Sequence, residues 1–199
     1  ANYMAGCAYR DLEDALSALK YLNLAVDAVD ENDEDCDLHT LMRVYSQMGG
    51  LYQRVAAFEN ERIADMHAEQ LAWKIGDTIS ALRLMWAQAC CLYDSRNQSQ
   101  AIIILDSIAQ FTEKNGIQKD PNLIYPIKTD YYLEIKDIKC AEKLLNEYER
   151  KLGGLTESLD SLIYDIAHFY RKGKYYNIVQ NPDSAILMFT KLLHLLGQR

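Results

Sequence analysis

The residues able to ligate metals, attack substrates or shuttle protons are scattered along this chain of 199 residues. The histidines are His39, His67, His168 and His194, and no two form the HExxH pair that one helix turn would bring onto a zinc ion. The cysteines are Cys7, Cys36, Cys90, Cys91 and Cys140. None forms a CxxC, their number is odd, and a vicinal pair such as Cys90 and Cys91 rarely closes, so reduced thiols are expected rather than a disulfide framework. Cys36 and His39 lie one helix turn apart but have no matching second half-site. The run Asp30-Glu31-Asn32-Asp33-Glu34-Asp35 gathers carboxylates as a calcium loop does. However, Asp35 stands where an EF-hand needs glycine for its sharp turn, and Leu41 stands where the closing bidentate glutamate belongs. A solvated acidic turn between helices fits that run better. No glycine-rich phosphate loop, GxSxG elbow or dinucleotide fingerprint occurs. The expectation is a chain without catalytic residues, without a metal and without a cofactor.

Bulk properties narrow the function classes further. A formal net charge of -8 and a pI near 5.0 oppose binding to a polyphosphate, which draws on many Lys and Arg contacts. Nucleic acid is therefore not expected as a direct partner. No apolar run approaches the roughly 18 residues needed to cross a bilayer, so membrane insertion is not expected either. The chain opens without an initiator Met and without a signal-like segment, and Tyr3 already lies inside a helical pattern. We expect a fragment of a longer protein, whose cellular address these residues do not encode.

With only 3 Pro and 9 Gly, long helices can run uninterrupted. The apolar periodicity predicts ten helices, at about 2–11, 15–29, 37–54, 58–74, 78–94, 98–113, 121–135, 138–151, 156–177 and 182–196. Asp120-Pro121 and Asn181-Pro182 each place a capping side chain before a Pro suited to a first turn. Gly76, Gly116 and Gly153-Gly154 follow periodic stretches where a left-handed C-cap would stand.

These helices recur as pairs. Aligned on a small residue of each second helix, Ala18, Glu61, Ala101, Ala141 and Ala185 stand 43, 40, 40 and 44 residues apart, with Glu61 the exception in type. Four residues later come Leu22, Leu105, Leu145 and Phe189, with Asp65 breaking the pattern in the second pair. Each first helix carries a small residue followed three positions on by a larger one: Gly6 and Tyr9, Gly49 and Tyr52, Ala89 and Leu92, Thr129 and Tyr132, Ala167 and Tyr170. The small residue would let the second helix approach closely while the larger one fills the adjoining gap. No linker divides the array, so one domain over 1–199 is expected.

The segment from Tyr3 to Ala25, with Gly6, Tyr9, Ala18, Leu22 and Ala25 at signature positions, resembles one tetratricopeptide repeat (TPR). The wording Gly6-Cys7-Ala8-Tyr9-Arg10-Asp11-Leu12-Glu13-Asp14-Ala15, and the repeat end Ile75-Gly76-Asp77, are similar to the longer-spaced TPR sensor and regulatory regions of Bacteroidetes proteins. The resemblance implies an all-α, right-handed solenoid of about five antiparallel helix pairs and a non-catalytic protein- or peptide-binding module. It also implies an inner face formed by the first helices.

Carried over position by position, that face comprises Tyr3, Cys7 and Arg10, then Arg43, Ser46, Gly50, Gln53 and Arg54, then Arg83, Trp86, Cys90, Tyr93 and Asp94. It continues with Leu123, Asp130, Leu133 and Glu134, then Tyr164, His168 and Arg171. Arg10, Arg43, Arg54 and Arg83 beside Tyr3, Trp86 and Tyr93 would suit an acidic peptide or a C-terminal carboxylate, because the guanidinium fork pairs bidentately with carboxylates. The same arginines could instead pair with Asp and Glu of neighbouring helices. The relatives that clamp chaperone tails use inward Asn residues, and here those positions hold Cys7, Gly50 and Cys90. The other reading open at this point is a structural scaffold that associates with its own copies as a homodimer, with no ligand on the inner face.

Overall fold

The structure, a computed structural model, describes the chain apart from residues 32, 118–120, 153–158 and 198–199, and the side chains of 121–124, 151–152 and 159–164. The expected caps at Asp120 and Gly153-Gly154 lie outside the described residues. The described residues are all-α. Ten helices follow one another as α1 Asn2–Asp11, α2 Ala15–Val26, α3 Leu38–Arg54, α4 Phe58–Lys74, α5 Thr78–Asp94, α6 Gln98–Lys114, α7 Pro121–Glu134, α8 Ile138–Leu152, α9 Leu159–Ile178 and α10 Pro182–Gly197. Helix α2 stops at Val26, three residues short of expectation, because Asp27 and Ala28 form a turn closed by the Val29 N–H donating to Val26 O at 3.0 Å.

One backbone device joins the two helices of every pair. Glu13, Ala56, Arg96, Lys136 and Gln180 all adopt the left-handed conformation, with φ between 55° and 64°. Around Glu13 the N–H of Asp14 donates to Tyr9 O and that of Glu13 to Arg10 O, and the same two bonds recur around each of the other four. This is the Schellman end, which satisfies carbonyls the helix would otherwise leave open. Each left-handed residue stands five positions before its anchor, so the repeat read from side chains is also a repeat of turns. Gly76 and Gly116 take the same conformation at the ends of α4 and α6, as expected of them.

Capping fixes the opposite ends. The carboxylates of Asp14, Asp37, Asp77 and Asp137 accept from the N–H three residues on, at 3.0 to 3.1 Å, and Asn181 does so at 3.2 Å. Helix α4 alone among α2 to α5 lacks a side-chain cap, because its N-cap is Ala57.

The chain divides into two compact units, Ala1–Ile108 and Ala109–Arg199, with the boundary inside α6. In the first unit α1 packs on α2, α2 on α3, α3 on α4 and α4 on α5. Its core gathers Ala18, Leu19, Leu22, Val44, Met48, Leu51 and Ala64, and then Leu41, Met42, Ala68, Leu71, Ala72, Ala81 and Leu84. In the second unit α7 packs on α8, α9 on α10, and α9 also on α7 and α8. Tyr125, Leu133, Ala141, Leu145, Tyr148, Ala185 and Met188 are its buried hydrophobic residues among those described.

The anchors sit at the helix crossings. Ala18, Ala101 and Ala141 are fully buried, Ala185 nearly so, and Glu61 shares their burial at 2% exposure. A Cβ built on Gly6 would lie 2.6 Å from the Leu22 side chain, so the missing methyl is what lets α1 and α2 close together. In the fifth pair that role belongs to Gly173, where a Cβ would meet the Phe189 ring at 2.6 Å, and not to the expected Ala167. The interval from close-approach residue to anchor is constant at twelve: Gly6 to Ala18, Gly49 to Glu61, Ala89 to Ala101, Thr129 to Ala141 and Gly173 to Ala185. Gly173 lies six residues beyond Ala167, so the register of α9 differs from the expected one by that interval.

Candidate functional site

The first helices of the first unit carry the residues from Tyr3 to Asp94 that were expected on an inner face, and their exposure follows from the register just fixed. In α3, Arg43, Ser46, Gly50, Gln53 and Arg54 recur at helical spacing and are all exposed, while Val44, Met48 and Leu51 between them are buried. A Cβ on Gly50 would meet nothing within 4 Å, which marks this side of α3 as open. In α5 the same register presents exposed Arg83 and Asp94 with half-buried Trp86, Cys90 and Tyr93. In α1 it presents Tyr3, Cys7 and Arg10, each half-buried.

Neighbouring first helices are bonded side to side along this face. Gln47 of α3 donates to the Tyr3 hydroxyl at 3.2 Å, and the Cys7 thiol donates to Gln47 Oε1 at 3.5 Å. The second unit repeats the seam at equivalent positions, with Arg171 of α9 donating to Pro126 O at 3.2 Å and to Asp130 Oδ2 at 2.7 and 2.9 Å. Arg171 is thus engaged within the fold, and Lys174 adds a second cation near Asp130 at 3.7 Å.

The arginines of the first unit divide into two kinds. Arg10 is held by its neighbour, since its Nε and Nη2 both donate to Asp11 Oδ1, at 3.0 and 2.7 Å. Arg43 and Arg54 have no hydrogen-bond or ion-pair partner among the described residues. Arg83 has none either, although its charge helps to hold the Asp77 carboxyl below its ordinary value, after the hydrogen bonds from Ser80. Beside Arg83, the indole N–H of Trp86 is buried without a partner.

His168 lies elsewhere. It is 5% exposed, its ring stacks on Tyr148 at 5.3 Å, and Nε2 lies 3.1 Å from Glu149 Oε1. Burial holds its pKa below the ordinary value, with Glu149 opposing that shift. With Gly173 setting the register, His168 falls on the core side of α9, and the positions equivalent to Tyr3, Cys7 and Arg10 become Tyr170, Lys174 and Asn177. Leu133 is also buried, at 3% exposure. The side chains of Leu123 and Tyr164 fall outside the described residues.

Sequence reading passed over one group. Glu61 and Asp65 were breaks in a pattern, yet both are buried, at 2% and 4% exposure, one turn apart on α4. Burial, helped by Glu61, raises Asp65 to about 7. The thiols of Cys90 and Cys91 are each pushed up to about 12, first by burial and then by surrounding carboxylates that include Glu61, Asp65 and Asp94. A thiol so placed stays protonated and is a poor nucleophile. Position relative to the anchors was the signal available, because the anchor is buried in the other four pairs and the residue four beyond it is buried in three of them, as Leu22, Leu105 and Leu145.

No family model and no curated protein matches this sequence. Among solved structures the chain is similar to BtubC (BKLC) from P. vanneervenii, with a TM-score of 0.73 and 15% identity over 97% of this chain and 77% of that one. It is also similar to the nearly identical TPR-like repeats of a Podosopora anserina kinesin light chain, with a TM-score of 0.68 and 10% identity over 99% of this chain and 94% of that one. The fold is a TPR-like helical repeat, as the resemblance in sequence implied.

Proposed function

We propose that the chain is a non-catalytic protein-interaction module, the ligand-sensing or partner-binding part of a regulatory protein. On this reading, α1, α3 and α5 hold an extended acidic peptide or a C-terminal carboxylate. The observation that carries it is that Arg43, Arg54 and Arg83 stand exposed on one kind of helix face without a hydrogen-bond or ion-pair partner among the described residues, in a chain of net charge -8. Twenty-nine acidic residues were available to neutralise them, so three guanidinium groups left without a partner among the described residues, on successive first helices, can pair outside the chain. Tyr3, Trp86 and Tyr93 supply ring surface beside them, on which a bound segment loses little conformational freedom. Gly50 leaves room between the arginines for a main chain to lie against α3. The TPR-like fold supports the coarser part of this reading, since such repeats present surfaces to other proteins.

A thermal-shift screen tests it. A short Asp/Glu-rich peptide is expected to raise the unfolding temperature, and a Lys-rich peptide of equal length is not. The double variant Arg43→Glu/Arg83→Glu should fold as the parent does, because both side chains are exposed, and should lose the shift. An equal shift in parent and variant would reject the site.

A further inference from the structure

Two carboxylates that the peptide reading leaves unused are packed behind the same helices. Glu61 and Asp65 stand one turn apart on α4, 2% and 4% exposed. Asp65 presses on α3, where a Cβ on Gly49 would lie 2.2 Å from its Oδ1. The next residue, Gly50, opens onto the face that carries Arg43 and Arg54, so the carboxylate lies against the back of the helix that presents these arginines. Glu61 lies against the Cys91 thiol of α5, and its Oε2 is buried without a hydrogen-bond partner among the described residues.

Around the pair the titratable groups are of one sign. From α5 it is faced by Cys90, Cys91 and Asp94, all acids, and from α3 by Gly49, which has no side chain. Arg62, the cation one residue along α4 from Glu61, is engaged by Glu59. Neither carboxylate has a cation bonded to it among the described residues. Two like charges in such surroundings resist forming together, and burial, with Glu61 beside it, raises Asp65 to about 7. The field of the pair reaches the peptide side. Cys90, beside Trp86 and Tyr93 on α5, is raised to about 12 by burial first and then by Asp94, Glu61, Cys91 and Asp65.

We propose that an acidic peptide bound to α3 and α5 draws a proton onto Asp65, so that occupancy of the site is linked to pH. The link presupposes the peptide site and adds its regulation. Carboxylates of the bound peptide approach the far side of α3 as further negative charges, which disfavours the ionised form of Asp65. Linkage is reciprocal, so the ionised form of Asp65 weakens peptide binding by the same factor. The proton comes from solvent, and affinity falls as pH rises through neutrality. Guanidinium groups and the carboxylates of a peptide keep their charges across that range.

Isothermal titration calorimetry at pH 7.5, in buffers of low and of high ionisation enthalpy, tests the link. The ligand is an N-acetylated Asp/Glu-rich peptide, whose amino group then cannot titrate. The protein carries His39→Gln and His67→Gln, which remove the exposed imidazoles of α3 and α4. The observed enthalpy is expected to change with the buffer in the sense of proton uptake, and affinity to fall roughly three- to tenfold from pH 6 to pH 8. Asp65→Asn keeps the shape without the charge, and is expected to bind at both pH values as its parent does at pH 6, with no dependence on buffer. Enthalpy and affinity indifferent to buffer and pH would overturn the link while leaving the peptide site intact. Uptake of equal size in Asp65→Asn would overturn it as well, by placing the proton elsewhere. No binding at any pH would remove the site, and the link with it.

Discussion

Asp65 occupies the position that Leu22, Leu105, Leu145 and Phe189 fill in the other pairs, and Gly49 faces it so closely that a Cβ there would lie 2.2 Å from its Oδ1. Its carboxyl titrates near 7 in the fold against an ordinary 3.8, so between those values the native state holds a proton the unfolded chain has released. The native state then binds more protons, and stability must fall as pH rises through that window and level off above it. Asp65→Leu is expected to remove that slope and to add roughly 1–3 kcal/mol at pH 8, the gain expected when a buried carboxylate gives way to a packed apolar group. Urea denaturation at pH 5 and pH 8 checks both. Two adjacent glycines give a second contrast. Gly49→Ala must displace Asp65 and should lose about 1–3 kcal/mol. Gly50→Ala meets open space and should gain about 0.5–1 kcal/mol by restricting the unfolded chain. At this scale the sequence was least legible: nothing in the letters Gly49-Gly50 says which is clamped, and only the repeat register separates them. The same limit produced the slip in α9, where Ala167 and Gly173 both qualify as small residues and only the twelve-residue interval to Ala185 chooses Gly173.

At the scale of elements the reading was fuller, because helix ends are written in side chains of known preference. Asp14, Asp77 and Asn181 cap as their types dictate, and Gly76 and Gly116 end helices as only a residue tolerant of positive φ does without cost. The five intra-pair turns were harder to read. They use Glu13, Ala56, Arg96, Lys136 and Gln180 in a left-handed conformation disfavoured for side-chain-bearing residues, so no glycine announced them. Helix α4 is the weak start. Ala57 holds φ -90° and ψ 65°, close to the -80° and 74° of Asp77, but brings no acceptor. Ala57→Asn therefore needs no backbone change and should stabilise the first unit by about 1 kcal/mol. Denaturant midpoints at constant m-value would register the gain, and an unchanged midpoint would show that the first turn of α4 gains nothing from a side-chain acceptor.

At the scale of the whole molecule, a repeat of near-constant length in an acidic, proline-poor chain pointed to stacked helix pairs and to a surface for another protein. What lay beyond the sequence was which charged side chains the fold would use up. Arg10 is taken by Asp11 and Arg171 by Asp130, while Arg43, Arg54 and Arg83 have no partner among the described residues, and that difference arises from geometry that spacing alone does not encode. If these three carry recognition, affinity must be electrostatic in character and weaken as salt screens exposed charges. The most direct measurement is fluorescence anisotropy of a labelled Asp/Glu peptide and of its Asn/Gln counterpart, titrated with the protein at low and at high salt. The account predicts binding of the acidic peptide at low salt, a marked loss at high salt, and no measurable binding of the amide counterpart. Equal affinity for the two peptides, or affinity indifferent to salt, would contradict it.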